Sequence, residues 1–328
     1  MSKVKYLIRC IFNLNFKNMF HIAKMVSQKS KKPYFVILFD MAYCGLVYGA
    51  GYYDYQEFEF YLLNRKERKT YLTRVKNNNL IKKYNNKEYF YILDDKSTFN
   101  EKFNKYLKRE YLVVKDFEEF SVFFKKHKEI IAKPLDGEGG KGIDKYIYKN
   151  NSKEVYNEIT SKKQTLVEEC IHQHKEMAKL YDKSVNTLRL FTFLSDEGES
   201  HVVNQILKIG NGGVTDNFSS GSMYTFLSDE GEVLTPAIDQ NDSVFEIHPL
   251  SKEKIVGFKV PLYEEAKRIV NEAAKLIPEV RYIGWDVAIT NDGPAIIEGN
   301  SFPGVFQMKP SLKRNMGLIP KYKKYHIE

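Results

Sequence analysis

Read as a string of apolar and polar positions, the 328-residue chain changes character near Asp94. Before that point one segment carries a clear period. Val4, Leu7, Ile8 and Ile11, then Phe12, Phe16, Met19, Phe20 and Ala23, recur at helical spacing, with Lys3, Lys5, Arg9, Lys17 and Lys24 around them. This predicts a basic amphipathic helix or helix pair over residues 4–23, which either docks against its own chain or lies on an anionic membrane surface. Residues 33–90 are rich in Tyr and charge and weakly periodic, and no G-x-G-x-x-G follows a strand there, which argues against a standard dinucleotide-binding domain.

Beyond Asp94 the pattern is regular. Residues 97–108 read as a helix burying Phe99, Phe103 and Leu107, and Asp116 with Glu119 forms a capping box for a helix carrying Phe117, Phe120 and Phe124. A strand over 130–133 runs into a Gly-rich loop over 136–142, and a strand with Ile143 and Ile147 follows, so the two make a flap. A helix from about Ser152 leads to a strand over 165–170, a polar segment over 172–183, and strands over 185–194 and 202–209, with turns at Glu197-Gly198 and Asn211-Gly212. Residues 262–277 form a helix through Leu262, Ala266, Ile269, Val270, Ala273 and Leu276. The last unit is a hairpin, 282–290 and 295–298, joined by Asn291-Asp292-Gly293.

A 43% hydrophobic chain of this length buries a substantial core and is not disordered as a whole. The net charge of +9 favours encounter with anions without choosing among them. Cys10, Cys44 and Cys170 show no C-x-x-C spacing, no apolar run is long enough to cross a bilayer, and the basic start lacks a cleavage site. The expectation is a cytoplasmic protein, with residues 1–26 offering contact to the inner face of the membrane.

Three elements could carry chemistry. Strand alternation puts Glu298 and Asn300 on one face of the hairpin, and the turn can bring Asp286 beside them. Two carboxylates and an amide oxygen suit Mg2+, with Mn2+ as the alternative, and Asp286 sits in an otherwise apolar strand where an unpaired charge is costly. The second element is Lys133 followed by a loop containing Gly137, Gly139, Gly140 and Gly142. It is either a surface loop or a cradle in which backbone N–H groups approach a phosphate, and it is not a Walker A loop, since Gly142 follows Lys141. Third, Leu166-Val167-Glu168-Glu169-Cys170-Ile171 turns abruptly polar. It is either an acidic strand end in water or an adenine wall whose backbone reads the ring edge while its acidic side chains remain for the amino group and ribose.

In order, these elements resemble the ATP-grasp superfamily, and in detail its sugar-transfer associated branch from bacterial polysaccharide gene clusters. The resemblance spans roughly residues 40–320 and rests on Asp54-Tyr55 with Glu67-Arg68, Asp95-Lys96, the segment from Lys133 to Ile143, Val167-Glu168-Glu169, Ser184-Val185-Asn186-Thr187-Leu188-Arg189, Asp216-Asn217, His248-Pro249, Gly284-Trp285-Asp286 and Glu298-Gly299-Asn300. It implies an α+β ATP-grasp fold with two lobes clamping ATP: an N-terminal region over 1–90, a small lobe over 91–165 and a large lobe over 166–328. It further implies that Lys96 and Lys133 hold phosphates under the Gly flap, that Glu168, Glu169 and Ile171 hold adenine with Glu176 or His174 at the ribose, and that Asp286, Glu298 and Asn300 bind two Mg2+. Related D-alanine ligases carry an Arg two residues before the metal Asp, where this chain has Gly284. Arg189, with Lys208 second, is the expected substitute cation, the alternative being a salt-bridging strand residue. The implied activity is a carboxylate-amine ligase working through an acylphosphate on small-molecule acid and amine substrates. A kinase of the same fold and a non-catalytic scaffold are the rivals, and no base-reading module points to nucleic acid.

Overall fold

The computed structural model describes residues 15–135, 142–212 and 221–327. The chain divides into two compact units, residues 1–83 with 304–328, and residues 84–303. This partition differs from the three consecutive segments expected above: residues 304–328 join the N-terminal region, with Gln307 donating to Leu72 O (2.9 Å) and accepting from Leu72 N (3.1 Å).

The first unit is helical. Helix α1 (Phe16–Ser30) buries Ile22, Ala23 and Val26 against Ile37, Met41 and Cys44 of helix α2 (Tyr34–Tyr48). Residues 4–14 of the expected amphipathic helix lie outside the described residues, and its remainder runs on to Ser30. Arg68 makes a double hydrogen bond with Asp40 (2.7 Å to each oxygen), which also accepts from Tyr55 Oη (2.7 Å), fixing α2 over this small aromatic core.

The second unit contains two antiparallel sheets. The smaller, in the order β1 (Tyr111–Val113), β4 (Leu166–Glu169), β2 (Glu129–Lys133), β3 (Asp144–Ile147), is preceded by helix α3 (Lys96–Lys102). Helices α4 (Phe117–His127) and α5 (Ser152–Ser161) pack on one face, where Phe120, Phe124, Val155 and Ile159 meet Ile130, Ala132 and Val167. The single helix expected over 97–108 breaks at Phe103, although Phe99, Phe103 and Leu107 are all buried. After helix α6 (Lys175–Leu180) comes the larger sheet, ordered β11-β10-β5-β6-β7-β8-β9: β5 (Thr187–Leu194), β6 (Ser200–Ile209), β7 (Met223–Phe226), β8 (Ala237–Ile238), β9 (Val244–Phe245), β10 (Tyr282–Thr290) and β11 (Gly293–Asn300). Helix α7 (Tyr263–Ala274) covers one face, burying Ala266, Ile269, Val270 and Ala273 against Ile283, Trp285, Val287 and Ile289. Leu276, expected on that buried face, lies past the end of the helix and is exposed. Because strand side chains alternate, the other face belongs to Gly284, Asp286 and Ala288. Helices on one side of each sheet leave two faces for a site.

Candidate functional site

On the small sheet, the residues alternate with those of the α4–α5 core. Ile131, Lys133, Lys145 and Glu168 therefore face away from the helices and line a cavity of about 430 Å³. Lys133 Nζ donates to Glu168 Oε2 at 2.8 Å. The same buried carboxylate accepts from Arg109 Nε (2.9 Å) and Nη2 (3.3 Å) and from Asn100 Nδ2 (2.8 Å). Burial is the largest influence on Glu168 and would raise its pKa, but Arg109 and Lys133 outweigh it and hold the carboxyl well below the usual range. Burial lowers the Lys133 pKa, and the attraction of Glu168 only partly offsets this. Arg109 does more than neutralise: it donates to the carbonyls of Ile296 (2.8 Å) and Ile297 (3.2 Å), fastening the small sheet's buried carboxylate to β11.

On the large sheet, Glu298, Asp286 and Arg189 form one cross-strand row over β11, β10 and β5. Arg189 donates through Nε and Nη2 to the two Asp286 oxygens, the latter at 2.8 Å, and Lys208 Nζ donates to Oδ2 at 2.9 Å. Burial again is the largest influence on Asp286, and Arg189 and Lys208 overcome it to keep the carboxyl well below its ordinary range. Glu298 moves the other way, raised first by its surroundings and then by Asp286. The row depends on an irregularity: Val287 pairs with Ile296 while Asp286 pairs with Glu298, so Ile297 is a bulge. A bulge turns two successive residues to one side, letting Ile296 enter the core while Ile297 lines the cavity and Glu298 faces Asp286. The rows meet at this bulge, and Glu298 is near enough to Lys133 to favour its charged form.

Between the sheets, residues 170–172 follow the last ladder pair of β4, and Gln173 then bridges to Thr290 of the large sheet. Asn186 secures this crossing by donating to Gln173 Oε1 (2.9 Å), Met177 O (2.9 Å) and Tyr181 O (2.8 Å). His248 is buried behind it. Its Nδ1 accepts from Leu250 N and Ser251 N (3.2 and 3.1 Å), so Nε2 carries the proton and donates to Gly210 O at 2.9 Å. Burial lowers the His248 pKa, and its role is to brace the end of β6 as a neutral ring.

The profile of the sugar-transfer associated ATP-grasp family matches residues 75–323, three quarters of the chain. The chain belongs to that family. No curated protein matches it significantly. Among solved structures it is similar to the ATP-grasp ligase PsnB complexed with minimal precursor, Mg and ADP (TM-score 0.38, 15% identity, 67% of this chain and 54% of that one). It is also similar to D-alanyl-alanine synthetase A from Vibrio cholerae O1 biovar eltor (TM-score 0.40, 14% identity, 71% and 60%) and to N5-carboxyaminoimidazole synthetase from Staphylococcus aureus (TM-score 0.40, 12% identity, 65% and 45%). The chain spans about half the length of the PsnB chains it matches.

In this ATP-grasp chain the residues singled out from sequence fall in different places. Lys133, Glu168, Glu169 and Ile171 line the cavity, and Lys96 Nζ reaches Leu135 O (3.4 Å) at the root of the flap. Gly142, at the start of the described residues before β3, has φ +70°, a conformation that favours glycine, while Gly137, Gly139 and Gly140 lie outside the described residues. Glu168 accepts from Arg109, Lys133 and Asn100, and Glu169, half-exposed at the cavity, accepts from Glu110 N (3.1 Å). Glu176 does not line the cavity, because helix α6 turns it outward to Lys179 (2.6 Å), and His174 caps that helix by accepting from Glu176 N (3.1 Å). The wall there is formed by His172, Gln173 and Asp182. Sequence reading missed these, along with Arg109 and Lys145. Only Lys145 had a signal, since it is two residues along the strand from Ile143.

Among the described residues, no three His, Cys, Asp or Glu side chains converge as a ready metal cage. The oxygen-only set on β10 and β11 nevertheless fits a hard divalent ion. Glu298 and Asn300 project from one strand, Asn300 Nδ2 donates to Gly284 O (3.2 Å) so that its amide oxygen remains an acceptor, and the opposed carboxylates of Asp286 and Glu298 are a repulsion that a dication would relieve.

Proposed function

We propose that the chain is an ATP-dependent carboxylate-amine ligase whose acid or amine substrate belongs to the surface-sugar chemistry named in the family description. What carries this reading is the convergence at the Ile297 bulge of a buried lysine, a charged row of Arg189, Asp286 and Glu298, and a cavity of about 430 Å³, within the range of small-molecule sites. Lys133, held by Glu168, would meet the phosphates of ATP at one wall. Across the Ile297 bulge, next to the cavity and not in its lining, Glu298 and Asn300 with Asp286 would hold Mg2+, which would supply charge neutralisation to the phosphates when bound.

A substrate carboxylate oxygen attacks the γ-phosphorus, the bond to the bridging oxygen breaks, and ADP leaves. The amine nitrogen then attacks the acyl carbon, phosphate departs with the bonding electrons, and the amine proton passes to solvent. Negative charge builds twice on one small volume, and Arg189 with Lys208 supplies two cations against the single Asp286 carboxylate between them. Gly284 makes room for this arrangement, since a Cβ there would sit 3.4 Å from Arg189 Cδ and 3.1 Å from Pro303 Cβ. Drawing on ATP, with Cys44 and Cys170 both free, the enzyme belongs in the cytoplasm on this reading.

Phosphate release from Mg-ATP, screened over sugar acids crossed with amino acids, tests the proposal. Free phosphate should accumulate only when acid and amine are both present. Phosphate retained on a hydroxyl product would replace the ligase with a kinase, and no thermal shift with Mg-ATP would remove nucleotide chemistry altogether.

A further inference from the structure

Helix α2 is built inside out. Its inward side carries the helix's one charged residue, Asp40, bound by Arg68 and Tyr55, together with Ile37, Met41 and Cys44. Its outward side presents Phe35 (68% exposed), Val36, Phe39 (74%), Tyr43, Leu46 (63%) and Val47. Those positions follow the 3.6-residue period around one stripe, and no side chain on it carries a charge. A helix facing water has the opposite arrangement, and a contiguous apolar stripe marks a surface that another phase or molecule covers.

The charge around the stripe selects the occupant. Residues 15–39 contain five lysines, Lys17, Lys24, Lys29, Lys31 and Lys32, and no Asp or Glu. On α1, which packs against α2, exposed Lys17 and Lys24 alternate with exposed Phe16, Phe20 and Met25, the mixture that rests at a headgroup boundary. Lys29 pairs with Glu59 (3.7 Å) and Lys32 donates to Tyr61 O (2.5 Å), but a second copy docking through the same face about a two-fold axis would set Lys17, Lys24 and Lys31 against their own equivalents, whereas anionic headgroups would neutralise them. At 15 residues α2 is about 22 Å long, short of the roughly 30 Å of a bilayer core, and it is closed at its end by Gly49 in the left-handed region (φ 68°). The geometry points to an in-plane insertion: we propose that the outward face of α2, flanked by the lysines of α1 and the α1–α2 turn, docks the protein on an anionic phospholipid bilayer.

The full chain should float with vesicles of phosphatidylcholine and phosphatidylglycerol, bind vesicles of phosphatidylcholine alone about tenfold more weakly or worse, and lose binding as salt rises. The double variant F39E/L46E should reduce partitioning about tenfold or more while keeping the wild-type far-UV spectrum and the thermal shift with Mg-ATP. If that variant does not fold, Phe39→Ser alone should still reduce partitioning, and Phe39→Trp should show a blue shift only with anionic vesicles. Equal binding by wild type and the folded variants would overturn the proposal. So would absence of vesicle binding together with a dimer in sedimentation that F39E/L46E dissolves, which would assign the face to a second copy.

Discussion

Asp286 and Glu298 face each other directly across β10 and β11, two carboxylates in register on the same side of an antiparallel pair. Like charges so placed oppose each other, and the cations lie nearer Asp286: Arg189 Nη2 is 2.8 Å from its Oδ2 and 3.9 Å from the nearer Glu298 oxygen. Glu298→Gln should therefore stabilise the protein without metal by about 0.5 kcal/mol, while raising the Mg2+ concentration needed for half-maximal thermal shift by about tenfold. Unchanged Mg2+ dependence would remove Glu298 from the metal site.

Arg189→Ala should lower turnover by about 10²–10³-fold, the cost typical of losing one preorganised donor at a developing charge. Lys208 keeps Asp286 paired, so the Mg-ATP thermal shift should survive. Wild-type turnover with nucleotide binding intact would return Arg189 to a structural salt bridge.

Lys133→Met deletes a charged donor in a buried setting and should weaken ATP binding by about 10- to 150-fold, the equivalent of 1.5–3 kcal/mol. Titration calorimetry with a non-hydrolysed ATP analogue measures it, and an unchanged Kd would refute the assignment of Lys133 to phosphate.

Arg109→Met leaves the Glu168 carboxylate buried with Lys133 as its remaining cation, and breaking a buried pair from one side costs about 3–5 kcal/mol. The side chain is 1% exposed, so water cannot take its place. Chemical denaturation should show this loss. A change within 0.5 kcal/mol would mean that the clasp contributes nothing.

Acid should unfold the protein through the same carboxylates. Glu168 and Asp286 have pKa values depressed in the folded state, so the stability they contribute is fully present above the ordinary carboxyl pKa of about 4 and is lost as pH falls below it toward their folded values. Glu298, shifted upward, contributes in the opposite sense, its share being lost as pH rises through its folded pKa. Melting temperature should thus fall steeply between about pH 4 and pH 2, and less steeply in Glu168→Gln once its lower starting stability is subtracted.

How much of this was legible depended on whether a residue's neighbours are set by local period. The β10–β11 hairpin was, because an Asn-Asp-Gly turn joins its two apolar strands, but the bulge at Ile297 that sets Glu298 opposite Asp286 has no signature in the sequence. The face of α7 was too. Helix α2 was not, since a helix apolar on both sides has no amphipathic signature to detect. Strand β1, three residues at a sheet edge, was too short to show alternation. Arg109 sits between a helix and a strand and acts on groups 59 and 187 residues away, a relationship no window along the chain contains. Glu176, which the resemblance implied for the ribose, stands on α6 beside Lys179 and outside the cavity lining. The partners of Glu168, Asn100, Arg109 and Lys133, come from three separate stretches of chain, so no local pattern announces them.

Arg109 grips β11 through the carbonyls of residues 296 and 297, atoms that every amino acid possesses. Mutational tolerance on the two sides of this fastening should accordingly be lopsided. Position 297, already unpaired in the ladder, is free to drift to other side chains and retune what the cavity admits without loosening the joint, whereas position 109 has no such latitude. A chain arranged this way can diversify its chemistry from one strand while its frame stays put.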